Sequence, residues 1–126
     1  MDDGAPSTAR ILAVAGLTWG LTLLLGAGRV VDALCPELPE GKRWLVRVLG
    51  ARLVAQHATV LVAPVRPVLP VAAAVEGLHG LSMVPLLGLP RYRRAALISG
   101  GIAGLSAVVL AAASAEPSRR PASERR

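Results

Sequence analysis

Arg52, Gln56 and His57 fall within six residues of one another in "RVLGARLVAQHATVLVAP", and Glu76 and His79 stand three apart in "VEGLHGL". Both stretches are otherwise built of Leu, Val, Ala and Gly, and such polar groups are costly in apolar surroundings unless they are paired. Arg and Glu neutralise one another, Gln bridges them, and His donates or accepts, so the set reads first as a buried polar cluster. If both segments are helices of one hairpin centred near residues 65–66, Arg52 lies level with His79 and Ala55 level with Glu76. Arg52 and Glu76 then differ in height by about one turn, roughly 4.5 Å, which an arginine side chain covers. Gln56 and Thr59 follow Arg52 at i+4 and i+7, and His79 and Ser82 follow Glu76 at i+3 and i+6. Each helix thus carries one polar stripe, and the spacing predicts that Arg52, Gln56, Glu76 and His79 meet across the pair.

Three uses fit this cluster. An internal Arg52–Glu76 pair lets two marginal helices enter a membrane as one unit. Ionisable groups at that depth also mark proton, ion or ligand paths, with Glu76 or His79 changing protonation. In the third, Arg52 reaches to the interface and pairs with nothing. Metal chemistry fits poorly. "EGLH" is a Glu-x-x-His unit, but a di-metal carboxylate site needs a second copy and two further carboxylates, and no other acid falls within a predicted span. His57 and His79 as haem ligands are offset by about 7.5 Å in height. No nucleophile–base pair is present either, so no catalytic residue, metal or cofactor is expected.

The elements that must hold these residues follow from composition. The chain has 126 residues, 53% of them hydrophobic, and a mean hydropathy of +0.55, too apolar for a soluble domain of this size. Aromatics are limited to Trp19, Trp44 and Tyr92, so a soluble core would consist of Ala, Val and Leu alone. The basic residues are arginines except for Lys42, and Asn is absent, the bias expected of a GC-rich genome. The net charge of +6 flanks apolar segments and forms no stripe interleaved with aromatics, which excludes nucleic acid as a partner. Cys35, the lone cysteine, rules out an internal disulfide. Leu34 before it and Asp32 at a position that needs an apolar residue argue against a lipidation signal, and the first apolar run lacks a small-residue cleavage site, so it is expected to be retained.

Residues 11–28 and 95–115 carry no charge and are long enough to span a bilayer. In the first run Leu, Ile and Val together favour insertion by roughly 2–5 kcal/mol. Residues 44–63 are marginal alone, because Leu and Val supply roughly 3–5 kcal/mol while a central Arg costs about 2.5–3.5. Residues 68–89 complete the set, with a kink expected at Pro85. Pro36, Pro39, Pro64, Pro67, Pro90, Pro117 and Pro121 fall in the connections and the tail. The expected fold is all-α: a single transmembrane four-helix domain over 1–115, an up-down bundle with short connections whose middle pair forms a tight hairpin. Residues 116–126 are expected to be a disordered basic tail.

Gly16 and Gly20, and Gly100 and Gly104, are small-x-x-x-small pairs for close helix packing, inside the bundle or between copies. Arg119, Arg120, Arg125 and Arg126 are candidates for anionic lipid headgroups if the tail is cytoplasmic. Basic residues divide almost evenly between the two sides, with a lean to "GKRW" and "PRYRR" being cytoplasmic.

At "RVLGARLVAQH", "VEGLHGLSM" and "PRYRRAAL" the chain resembles a group of uncharacterised small four-helix integral membrane proteins of actinobacteria, over about 44–97. The resemblance implies fold and membrane location only. Small multidrug exporters are also four-helix, but they carry their glutamate in the first helix and are rich in aromatics, whereas Glu76 lies in the third helix here. The function expected is that of a multi-pass cell-membrane protein without catalytic site, an accessory or assembly subunit in the lipid bilayer that binds a larger membrane partner or itself. The alternative is a small oligomeric carrier or channel using the Arg–Glu–His cluster.

Overall fold

The computed structural model describes residues 7–63 and 67–115, and these form four α-helices: α1 (Ser7–Leu34), α2 (Arg43–Val62), α3 (Val68–Met83) and α4 (Pro90–Ala115). Four segments, one around each helix, are long and apolar enough to cross a membrane. The predicted tail and its four arginines lie outside the described residues.

Proline sets the breaks. α1 runs past its charge-free stretch through Arg29 and Asp32 and ends only before Pro36. Charge limits how deep a helix can sit, but it does not stop the backbone ladder; a residue without an N–H does. Within α1, Gly26 leaves helical geometry at φ −115°, ψ 23°, a kink with glycine as its cause. Past Cys35 the chain turns through Leu38 N–H to the Cys35 carbonyl (2.9 Å) into a 3-10 turn at Glu40–Lys42. The third span was expected to continue, kinked, to residue 89. Instead the α-helix stops at Met83 and gives way to a 3-10 segment, Val84–Gly88. Pro85 explains the change, since it cannot donate to the Leu81 carbonyl and its ring crowds it. Leu89 is extended (φ −101°, ψ 111°), as a residue before proline prefers, and Pro90 opens α4 with φ already set.

The pairing of helices differs from the expected tight middle hairpin. α1 packs along α2 and α3 along α4, both antiparallel, α1 also touches α4, and α2 and α3 meet only sparsely. Glycine decides this. A Cβ on Gly50 would stand 2.6 Å from the Leu24 nitrogen and 2.7 Å from the Gly20 carbonyl oxygen, so the two backbones touch there. A Cβ on Gly20 would lie 2.9 Å from Val54 N. On the other hairpin the contact is looser: Gly100 faces Met83 at 3.2 Å and Gly80 faces the Gly100 oxygen at 3.6 Å. Gly104 contributes only its backbone, 3.7 Å from the Cβ position of Gly80, while its own Cβ position is open. Small residues let dispersion and Cα–H contacts accumulate where no hydrophobic force separates protein from lipid.

Two apolar cores result, one at each end. Ala9, Ala13, Val60, Leu69, Ala72, Leu110 and Ala113 close the end near the α2–α3 connection. Val31, Cys35 and Leu38, with Val46, Tyr92 and Ile98 around them, fill the other. Many large aliphatic side chains also point outward: Leu25 is 81% exposed, Val62 85% and Leu105 68%. Leu and Val thus occur both in the cores and across the outer faces, and so large an exposed aliphatic surface is unusual for a chain surrounded by water.

Candidate functional site

The polar cluster lies between the two cores, on the sparse seam between α2 and α3. Gln56 and Glu76 make its shortest bond, Nε2–H donating to Oε1 at 2.7 Å. Arg52 Nη2 lies 3.6 Å from the same carboxylate oxygen and donates to Gln56 Oε1 at 3.2 Å. It also points at the Val75 carbonyl, 3.4 Å away. Gln56 is therefore the bridge: its amide accepts from the arginine and donates to the glutamate. Glu76 is 2% exposed and Arg52 28%, so one charge is enclosed and the other reaches a surface along its stem. Among the described residues the polar contacts of Arg52 run through Nη2, and its buried Nη1 has no hydrogen-bond partner.

The remaining predicted residues separate. His79 does not join Arg52 and Gln56; its Nε2 is 2.8 Å from Ser99 Oγ on α4. His57 turns the other way, 3% exposed, its ring lying over Gly16 of α1 in the space that a Cβ would need. The two histidines thus face different helices. Thr59 and Ser82, expected to extend the stripes, bond back to their own helices, to the Ala55 carbonyl (2.8 Å) and the His79 carbonyl (2.6 Å). Among the described residues no group of three or more His, Cys, Asp or Glu is arranged to hold a metal ion.

Several participants escaped sequence reasoning. Ser99 looked like filler in a charge-free span, and its only signal is its spacing of seven from the buried Ser106. Trp19 comes from α1 to line, with Glu76, His79 and Ser99, a central space of about 20 Å³. That is room for one water, and the polar groups to hold it are present. Asp32 and Arg43 form an ion pair at 2.5 Å across the first connection, and Glu37 and Arg94 approach to 3.7 Å. These exposed pairs tie the loop end together and stabilise it little.

Cys35 borders a cavity of about 80 Å³ between α1, α2 and α4. Burial pushes its thiol above the usual range, Arg94 offsets part of this, and Glu37 adds to the rise. Its thiolate fraction near neutral pH is accordingly below that of a free cysteine. The expected result is slow maleimide labelling of the folded protein at pH 7, fast labelling after unfolding in SDS, and a folded-state rate that keeps climbing through pH 9. Equal rates in both states would contradict it.

No protein-family model, curated protein or solved structure matches the chain.

Proposed function

We propose that this chain is a multi-pass protein of the cell membrane that acts by binding, as an accessory or assembly subunit of a larger membrane complex or of its own oligomer. The observation that carries the reading is the Arg52–Gln56–Glu76 bridge, which joins two helical hairpins whose backbones scarcely touch. The charges are spent on each other and on Gln56, as in a structural latch, and the hairpins stay side by side with one seam open. The outward aliphatic faces of all four helices support a lipid surround. Arg119, Arg120, Arg125 and Arg126 would add headgroup contacts if the tail lies on the anionic leaflet. The resemblance to small four-helix proteins of actinobacteria points to the membrane location alone.

A carrier is the second reading, favoured by the small space that Glu76, His79 and Ser99 help to line. Glu76→Gln separates the two. The amide keeps an acceptor for Gln56 and removes the charge, so a latch loses expression or partner binding, whereas a carrier stays folded and loses transport. For the subunit reading itself, the test is mild detergent extraction of the tagged native protein with mass spectrometry of its companions. A stoichiometric membrane partner supports it; a homogeneous preparation of the chain alone, in monomeric form, overturns it.

A further inference from the structure

On the side of the Cys35–Lys42 connection the seam between α2 and the α3–α4 hairpin widens into a groove of about 410 Å³, the volume of an ordinary small-molecule site. Leu45, Val48 and Leu49 form one wall, and Met83, Leu86 and Tyr92 the other. Arg52, His79 and Ser99 supply the polar part of its lining. Arg52 is the tenth of the twenty residues of α2, so this polar end lies about 15 Å from either helix end. Beyond it the Ala9–Ala113 core closes the bundle, which makes the groove blind.

The polar end has hydrogens left to give. Arg52 leaves Nη1 without a partner, an atom enclosed by protein that a guest meets when the guanidinium turns. The His79–Ser99 bond also leaves one: the serine O–H if Nε2 donates, or the ring Nδ1–H if the serine does. Glu76 already neutralises Arg52, so an anionic guest would carry an unmatched charge into apolar surroundings. A neutral acceptor would not. The carbonyls of a glycerolipid are tied to a headgroup at the interface and do not reach mid-depth. A ring with its own carbonyls on an apolar chain does.

We propose that this groove binds a quinone-type molecule, with ring carbonyls at Arg52 and at the His79–Ser99 pair and its chain along the Leu45–Leu49 and Leu86–Tyr92 walls. The proposal rests on the membrane placement above but not on the subunit reading, and the presence or absence of a protein partner leaves it unaffected. The test uses the full-length protein in phosphatidylcholine nanodiscs with a photoreactive azido-alkylbenzoquinone, and labelled positions are mapped by mass spectrometry. The expected result is saturable labelling confined to the groove residues, removed by excess decyl-benzoquinone and not by an equal excess of palmitic acid. Val48→Phe, at a lip residue 55% exposed, fills the groove without touching the Arg52–Glu76 bridge and lowers labelling roughly tenfold. Ser99→Ala lowers it about fivefold through one lost hydrogen bond. Three results would overturn the proposal: unsaturable labelling over all lipid-facing surfaces, equal displacement by palmitic acid, or wild-type labelling in both variants.

Discussion

Glu76→Ala is expected to cost the protein most of its stability, and adding Arg52→Met to it is expected to restore most of the loss. Glu76 is enclosed and accepts from Gln56 while facing Arg52 at 3.6 Å. Its removal leaves an arginine unpaired at the middle of α2 and a glutamine amide without its acceptor, a loss of roughly 3–5 kcal/mol. The double variant carries no charge to strand. Apolar replacement of a buried pair is often neutral or stabilising, and removing the central arginine also relieves α2 of about 2.5–3.5 kcal/mol of insertion penalty. Thermal unfolding in detergent of wild type, both single variants and the pair decides the matter. A Glu76→Ala protein as stable as wild type would show that the bridge is incidental, and a double variant no better than the single ones would show that the polar network is needed for its shape.

Gly50→Val is the second large effect. The added Cβ would meet the Leu24 nitrogen at 2.6 Å, the Gly20 oxygen at 2.7 Å and the Leu23 carbonyl carbon at 3.0 Å. These are backbone atoms of the facing helix, so no side chain can swing aside and α1 must move from α2 along its length. Overpacking of this kind costs typically 1–3 kcal/mol, and a contact with backbone belongs at or above the upper end. Gly101→Ala is the matched control, because nothing lies within 4 Å of its Cβ position, and it is expected to be neutral. A cysteine pair placed across α1 and α2 reports the separation: crosslinking should fall in Gly50→Val and persist in Gly101→Ala. Unchanged crosslinking in Gly50→Val would mean that the hairpin does not depend on this approach.

The helices were legible because charge and proline bound apolar segments directly: an uncharged run such as 95–115 is long and apolar enough to cross a membrane. Their pairing was not. The short connection between α2 and α3 suggested that these two pack together, yet connection length limits only where the ends lie, and the close contacts follow Gly16, Gly20 and Gly50 on one hairpin and Gly80 and Gly100 on the other. Gly50 was noticed as part of a motif and not as a contact surface, since it has no small partner four residues away. In the polar cluster, Arg52, Gln56 and Glu76 are placed together because their heights follow from the rise of a helix, which the sequence counts out. His79 went to Ser99 because its neighbour is α4, and nothing in the spacing within α3 reveals what stands across from it. His57 turned to Gly16 for the same reason: a ring needs a hollow, and only the opposing helix supplies one.

The break at Gly26 also sets the protein's relation to bilayer thickness. Before it, Ser7–Leu25 measures about 28 Å, and α2 measures about 30 Å, both close to the hydrocarbon depth of a typical membrane. The rest of α1, with Arg29 and Asp32, is surplus length that an unbroken rod would have to absorb by tilting. Gly26 therefore divides α1 into a part matched in length to α2 and a part that overruns it.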